Sequence, residues 1–428
     1  MLEVIGLPSV DALFEQIPPQ LRLARPLEIP AGVAEQQVLE DVGRLAARNR
    51  SLDDLVCFAG GGAYDHYIPA VVWALAGRSE FYTSYTPYQP ELSQGVLQTL
   101  FEFQSMICEL TGLEVSNASL YDGATALVEA AHMCRIGGRD RYLVAGGVDP
   151  RLVDTLRTYG AGAGHVVEAL AAPQGRGGIP GSLGDDVAAV VVQHPNVYGV
   201  LEDVQAWADL AHAAGARLIH MFDPTSLGVL APPGDLGVDI AVAEGQPLGN
   251  HLAFGGPYLG ILAARRGDVR RMPGRIVGET VDSAGRPGYV LTLQAREQHI
   301  RREKATSNIC TNQTLMALAA TVYLAWLGPA GLRELGEQCM AKAAYAFERL
   351  TVIEGVEAAF PGTGFFKEFA VRVSRPAEEV RSILAERGFV AGVAAPWCGG
   401  DVLLVAVTER RTREEIDAFA RALGEVLA

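Results

Sequence analysis

Hydrophobic and polar positions along this chain alternate in blocks, with short apolar runs rich in β-branched residues separated by longer stretches of helical periodicity. Between about residues 65 and 310 the apolar runs predict seven strands, at Val115–Leu120, Arg141–Ala145, His165–Leu170, Ala188–Gln193, Arg217–Phe222, Asp239–Ala243 and Leu259–Ala264. Most are separated by helical stretches, such as Gly123–Arg135, Pro150–Tyr159 and Asp203–Ala214. Because this alternation requires right-handed crossovers, we expect a mainly parallel sheet covered by helices on both faces.

The two ends of the chain follow other patterns. Residues 1–62 mix short helical patterns with prolines, which predicts an extended N-terminal arm. After two helices expected near 312–327 and 331–350, the tail reads strand, strand, helix, strand, helix at Val356–Phe360, Glu368–Val373, Ala377–Arg387, Val402–Thr408 and Arg413–Leu427. The predicted division is therefore an arm (1–62), a large α/β domain (63–328) and a small C-terminal α+β domain (329–428).

Composition narrows the classes of partner. The 428 residues carry a net charge of −15, which argues against nucleic acid or an anionic membrane as the main partner. The first residues do not read as a leader and no apolar run reads as a membrane span, so we expect a cytoplasmic protein. The six cysteines form no CxxC pair, and we expect neither a metal site nor a disulfide framework.

Polar loops follow several of the predicted strands, where ligands bind in open parallel sheets. These loops are Tyr121–Thr125, His194–Gly199, Asp223–Ser226 and Glu244–Pro247. The first leads into a helix whose N-terminus suits an anion such as a phosphate. Asp122 reads equally well as a plain N-cap of that helix. Together the loops predict a pocket at one edge of the sheet.

The run Tyr85–Gly95 is dense in hydroxyls, amides, prolines and glycine, and it precedes apolar residues at helical spacing. We interpret it as a rigid loop lining a site, feeding a helix that ends at Gly112. A polar surface turn is the alternative.

The order of elements resembles the large aminotransferase-type fold of pyridoxal-phosphate enzymes (fold type I). The resemblance implies that Asp223 pairs with the pyridine nitrogen and that a lysine after the following strand forms the Schiff base. That lysine is missing, because the sequence there reads Glu244-Gly-Gln-Pro-Leu-Gly249 and the only lysines are Lys304, Lys342 and Lys367.

Four blocks of sequence are similar to the P-protein family of the glycine cleavage system: Tyr85–Gly95, Glu109–Gly123, Gly245–Asn250 with Phe254–Pro257, and Leu291–Thr311. In its length and in its lack of the Schiff-base lysine, the chain resembles one subunit of the bacterial P-proteins that are split in two, namely the subunit that carries no cofactor. The resemblance implies a subunit of glycine dehydrogenase (aminomethyl-transferring), inactive alone. Pyridoxal phosphate on the partner subunit would decarboxylate glycine, and the aminomethyl group would pass to lipoylated H-protein, within an α2β2 assembly.

The resemblance also implies site residues. A loop of this chain is expected to contact the partner's cofactor phosphate, and we assign this role to Thr306, Ser307 and Asn308, although Thr306 or Ser307 reads equally as a cap of the next helix. Tyr85, Thr86 and Tyr88 are expected to line the interface near the partner's glycine site. The remaining polar residues are interpreted as a vestigial pocket with no catalytic residue; they are Asp122, His194, Asp223 and Gln246.

Two other functions stay open. The chain is alternatively a self-sufficient pyridoxal-phosphate enzyme that uses Lys304, or a scaffold or regulatory pseudo-enzyme that docks other components of the system. A dinucleotide enzyme is disfavoured because Gly60-Gly-Gly62 lacks the third spaced glycine.

Overall fold

A sheet of seven strands lies at the centre of the larger of two units in the computed structural model, which describes residues 1–23 and 25–428. The units comprise Met1–Ser51 and Leu52–Ala428. The strands are β1 Val56–Cys57, β2 Val115–Ser116, β3 Arg141–Val144, β4 Val166–Ala169, β5 Val187–His194, β6 Arg217–Phe222, β7 Ile240–Glu244, β8 Gly260–Ala264, β9 Ile276–Val281, β10 Pro287–Thr292, β11 Val356–Ala358, β12 Glu368–Val373, β13 Phe389–Val390, β14 Val393–Ala394 and β15 Val402–Ala406. The α-helices are α1 Leu2–Ile5, α2 Glu35–Ala46, α3 Ala70–Ala76, α4 Ser79–Tyr82, α5 Gln94–Thr111, α6 Gly123–Cys134, α7 Pro150–Ala163, α8 Val204–Ala213, α9 Gln298–Arg301, α10 Thr314–Thr351, α11 Ala377–Glu386 and α12 Arg413–Leu427.

The order of strands in the central sheet is β2-β8-β7-β6-β5-β3-β4. Strands β4, β3, β5, β6 and β7 are parallel, whereas β8 runs antiparallel to β7 and to β2. The expected mainly parallel sheet is therefore confirmed. The carboxyl ends of β5, β6 and β7 lie side by side, with His194 level with Phe222 and Phe222 level with Ala243.

Both faces of the sheet are covered, which explains why its strands are continuous apolar runs. In β5, Val190 and Val192 belong to one core cluster, while Ala189 and Val191 belong to the cluster on the other face. Alternate residues of a strand point to opposite faces, so a single run of small aliphatic residues supplies both clusters. The strands hold the loops at their ends at fixed spacings.

Two helices show how local sequence sets element ends. Helix α5 ends at Gly112, which adopts the left-handed conformation (φ 66°) as its position predicted. The two helices expected near 312–327 and 331–350 are both present and run end to end within α10, separated by a kink at Gly328 (φ 58°), directly before Pro329. By length and hydropathy α10 would suffice to cross a membrane, yet half of its most apolar stretch is buried inside the protein.

The C-terminal elements form an antiparallel sheet in the order β11-β12-β15-β14, with α11 and α12 packed into a shared core. Along the chain, the predicted strands and helices of the tail occur in the expected order. The predicted bounds of β12 and α12 agree with the structure. The sequence reading missed β13 and β14 and the hairpin β9–β10. Strands β13 and β14 are two residues long, and in the hairpin β9–β10 only Ile276 and Val277 are buried.

Residues 1–51 form the small unit and contain α1 and α2. None of the residues of α2 is buried. Large hydrophobic side chains are exposed throughout the described part of this unit, among them Met1, Val4, Leu21, Ile29, Leu39, Val42 and Leu45. The three-part division at 62 and 328 stays a prediction.

Candidate functional site

A cavity of about 50 Å³ lies beyond the carboxyl ends of β5, β6 and β7. Three of the four loops that the sequence singled out contribute to its wall, each from the end of a neighbouring strand. The other walls come from the segment after β1 and from the start of β12. The charged and hydroxyl-bearing side chains around the cavity are Tyr64, Asp223, Glu244, Lys367 and Glu368.

Lys367 is the residue at this site that the sequence reading did not place there. It precedes β12, its side chain is only 1% exposed, and its ammonium nitrogen lies 2.7 Å from Asp223 Oδ2. The same nitrogen donates to Thr225 Oγ1 and lies near His66 Nε2, each at 2.9 Å. Three partners use all three of its N–H bonds. Although burial alone would raise it, the pKa of Asp223 is lowered because Lys367 lies so close.

The protonation of His66 follows from its two contacts. Nε2 faces the Lys367 ammonium and must accept, so Nδ1 carries the proton and donates to Glu409 Oε2 at 2.7 Å. Burial and the neighbouring Lys367 charge lower the pKa of His66. Burial alone would raise the pKa of Glu409, but its contacts with His66 and with the Tyr67 amide together lower this pKa to about 2.

Glu244 ends β7 and reaches the N-terminus of α6. Its Oε2 accepts from the Gly123 amide at 3.0 Å, and its Oε1 accepts from the Gln246 and Leu259 amides at 2.9 and 3.1 Å. A Cβ on Gly123 would lie 2.9 Å from Glu244 Cβ, so only glycine permits this approach. Burial raises the pKa of Glu244 to about 7, against the opposing influence of the three amides.

A second buried carboxyl group, that of Glu368, lies in β12 beside Lys367. Its two oxygens accept from the Gly61 amide at 2.8 Å and from the Tyr64 hydroxyl at 2.9 Å. Burial raises its pKa to about 7. The Lys367 ammonium also lies 3.8 Å from the centre of the Tyr64 ring, a cation–π contact.

The residues predicted as a vestigial pocket have structural roles. Asp122 is the N-cap of α6 in a capping box with Thr125, which confirms the capping interpretation. Gln246 is buried, and its side-chain amide accepts from the Tyr64 amide and donates to the Tyr64 carbonyl. His194 accepts from the Glu202 amide through Nδ1 at 2.9 Å, and burial lowers its pKa to about 4.

The loop predicted to act in trans lies elsewhere on the chain. Thr306 and Asn308 are exposed, and Ser307 accepts from the Ile309 amide at 3.0 Å. The alternative, that Thr306 or Ser307 caps the following helix, is wrong, because α10 begins only at Thr314.

The tyrosine loop contacts an arginine that the sequence reading missed, and this arginine also reaches residues that follow Asn308. Arg275 is 3% exposed and donates to the Cys310 carbonyl at 2.7 Å and to Thr86 Oγ1 at 3.3 Å. Its guanidinium carbon lies 5.6 Å from the centre of the Tyr88 ring. Tyr85 is 92% exposed and Tyr88 51%. This buried arginine therefore links the tyrosine loop to Cys310, two residues after the segment Thr306–Asn308.

Signals for these missed residues are weak in the sequence. Lys367 follows two phenylalanines and precedes Glu368 and Phe369, so it is a lone cation in an apolar run. Such a cation is seldom fully buried without a partner, but the sequence does not show which carboxylate pairs with it. The sequence around Arg275 does not mark it as buried, because it lies between Gly274 and Ile276 and not within an apolar run.

Comparison with known proteins places the chain among close relatives. Residues 1–423 match the family model described as glycine cleavage system P-protein. The chain is 51% identical to a probable glycine dehydrogenase (decarboxylating) subunit 1 of Chlorobium limicola, over 99% of this chain and 97% of that protein. A crystal structure of glycine decarboxylase (P-protein) in inhibitor-bound form is 47% identical, with a TM-score of 0.94, over 100% of this chain and 97% of that chain. An alanine–glyoxylate aminotransferase of Nostoc sp. shares the fold at 18% identity and a TM-score of 0.58, covering 97% of this chain and 99% of the other.

Proposed function

Because this chain belongs to the P-protein family of the glycine cleavage system, we propose that it is the subunit of glycine decarboxylase that holds no cofactor itself. Its fold is the fold type I of pyridoxal-phosphate enzymes. In this proposal a second subunit holds pyridoxal phosphate, glycine is decarboxylated there, and the aminomethyl group passes to the lipoyl arm of H-protein. The name of the relative, subunit 1, supports the existence of a second subunit.

The observation that carries the proposal is the contact between Lys367 and Asp223 in this chain's own pocket. Pyridoxal phosphate needs an acidic partner for its ring nitrogen, a helix N-terminus for its phosphate and a lysine for the Schiff base. Asp223 is already paired at 2.7 Å, and the Gly123 amide at the helix N-terminus already donates to Glu244. No lysine lies between the end of β7 and Lys304, and the cavity has a volume of only about 50 Å³. The residues present therefore do not fit pyridoxal phosphate.

The proposed contribution of this chain is made in trans, through the segment Thr306–Asn308 and the tyrosine loop, which Arg275 links by its contacts with Thr86 and Cys310. Thr306, Ser307 and Asn308 offer hydroxyls, an amide and backbone N–H groups that suit phosphate oxygens. Tyr85 and Tyr88 expose aromatic surface, as residues at interfaces do. In the proposed α2β2 assembly, which we place in the cytoplasm, both segments would complete the partner's site.

The decisive experiment is to trap the cofactor where it binds. The chain is purified alone and with its partner subunit, each sample is reduced with borohydride, and pyridoxyl-lysine is located by mass spectrometry. We expect label on the partner only, with exchange of labelled carbon dioxide into glycine requiring both chains. Label on Lys304 or Lys367 of this chain would support a self-sufficient enzyme. Full activity of the partner without this chain would support a scaffold.

A further inference from the structure

The pocket of this chain contains two positions at which a pyridoxal phosphate would be anchored, and a side chain occupies each. The first is the carboxylate of Asp223, at the end of β6. The second is the N-terminus of α6, at the Gly123 amide. Both anchors were expected from the sequence, whereas their occupants are visible only in the structure.

At the first anchor a primary ammonium replaces a protonated ring nitrogen. Lys367 Nζ approaches Asp223 Oδ2 to 2.7 Å, as an N–H of a pyridinium would. Its other hydrogens are satisfied by Thr225 Oγ1 and His66 Nε2, so a buried charge is paired and fully hydrogen-bonded. A second cation therefore has neither space nor a free acceptor here.

At the second anchor a carboxylate replaces a phosphate. Glu244 Oε2 accepts from the Gly123 amide at 3.0 Å, at the positive end of a helix of 12 residues. Its other oxygen is held by two further amides, and the missing Cβ of Gly123 lets it approach. A phosphate at the same amide would have to displace this carboxyl group, because Glu244 Oε2 already occupies the hydrogen-bonding position.

We propose that Lys367 and Glu244 together act as an internal substitute for the cofactor, an ammonium on Asp223 and a carboxylate on the N-terminus of α6. The pocket is then neither an empty relic nor a regulatory site, but a polar core that the chain fills itself. The inference concerns this chain's own pocket and holds whether or not the proposed partner subunit binds the cofactor.

The substitute also joins parts of the fold that are distant in sequence. Lys367 precedes β12 in the C-terminal sheet, Asp223 and Thr225 follow β6 in the central sheet, and His66 follows β1. An ion pair across these elements fixes the C-terminal sheet against the central one. We therefore expect this chain to lack the mobility between these parts that an open pocket would allow.

The test is to remove each occupant and to offer a small molecule that restores the missing atoms. Lys367→Ala deletes three carbons and the ammonium, which n-propylammonium matches, and 1-propanol is the uncharged control. Glu244→Ala opens the helix N-terminus to inorganic phosphate, with acetate as the matched carboxylate and chloride at equal ionic strength as the control. The thermal midpoint of the full chain is measured for each variant and for the unmodified protein.

We expect both variants to melt below the unmodified chain. A ligand at a ten-fold excess over its Kd should raise the midpoint of its own variant by about 1–2 °C. Phosphate should not stabilise Lys367→Ala, propylammonium should not stabilise Glu244→Ala, and neither should stabilise the unmodified chain. Equal responses of all three proteins, or no response in either variant, would overturn the inference.

A second pair of variants covers the case in which Lys367→Ala does not fold. Lys367→Met leaves Asp223 buried without its partner, whereas the double variant Lys367→Met with Asp223→Asn removes both charges. The double variant should be more soluble and melt higher than Lys367→Met alone. If the double variant is neither more soluble nor more stable than Lys367→Met, the ion pair of Lys367 and Asp223 does not close the pocket.

Discussion

At the scale of single residues, the buried carboxyl group of Glu368 makes the stability of the fold depend on pH. Its pKa is about 7 in the folded chain, compared with 4.5 for an ordinary glutamate, because it is buried. Between these values the folded chain holds a proton that the unfolded chain has released, so this group's contribution to stability falls as pH rises.

Glu368→Gln should reduce this dependence. Gln keeps an oxygen for the Gly61 amide and has no proton to lose, so the stability difference between pH 5.5 and pH 8 should shrink by about 2 kcal/mol. Urea unfolding at both pH values measures it, and Glu386→Gln, on the exposed side of α11, is the control. An unchanged pH profile would show that Glu368 titrates as an exposed group does.

Thr306 is the residue for which the trans contact is tested most directly. Thr306→Ala removes an exposed hydroxyl, and loss of one hydrogen bond to a charged phosphate should weaken cofactor retention by the partner roughly tenfold or more. Thr99→Ala is the control, because Thr99 bonds only to the Gly95 carbonyl within its own helix. Equilibrium dialysis of the assembled complex gives the affinity, and equal retention by both variants would remove Thr306 from the site.

At the scale of elements, sequence patterns correctly predicted the helices and strands whose bounds depend on local periodicity. The bounds of β6, β12 and α12 agree with the structure because their apolar spacing is unambiguous. The pocket at the carboxyl ends of β5, β6 and β7 also followed from the polar loops after those strands. The occupants of the pocket did not follow, because Lys367 is 144 residues from Asp223 along the chain and only tertiary packing brings them together.

The tyrosine loop and the segment at Thr306 are expected to act as one unit, because Arg275 contacts Thr86 and the Cys310 carbonyl, two residues after Asn308. Arg275→Ala should therefore lower turnover of the assembled complex more than Thr86→Ala, which removes one contact, or Tyr88→Phe, which keeps the ring beside Arg275 and removes only the hydroxyl. Thr83→Ala, on an exposed hydroxyl that bonds to the Ser79 carbonyl, is the control. Glycine turnover and sedimentation of the complex separate a catalytic effect from an effect on assembly. Wild-type values for the Thr86 and Tyr88 variants would refute the interface assignment of the loop.

At the scale of the whole molecule, the distribution of apolar surface points to assembly with another chain. The described part of residues 1–51 exposes many large hydrophobic side chains, and contiguous apolar surface on a soluble protein marks an interaction site. In α2 the exposed Val38, Leu39, Val42 and Leu45 recur at helical spacing, so they form one apolar stripe. This stripe suits the partner subunit that the proposed function requires.

Placing charge on this stripe should prevent assembly without unfolding the chain. Leu39→Arg with Val42→Arg adds two cations where a desolvated contact is expected, and burying them unpaired costs several kcal/mol. Since α2 has no buried residue, the thermal midpoint of the chain itself should stay within about 1 °C. Gln36→Arg, on the polar side of the same helix, controls for added charge. Sedimentation of the co-expressed subunits should show separate chains for the double variant and intact complex for the control; intact complex in both cases would mean that α2 does not contact the partner.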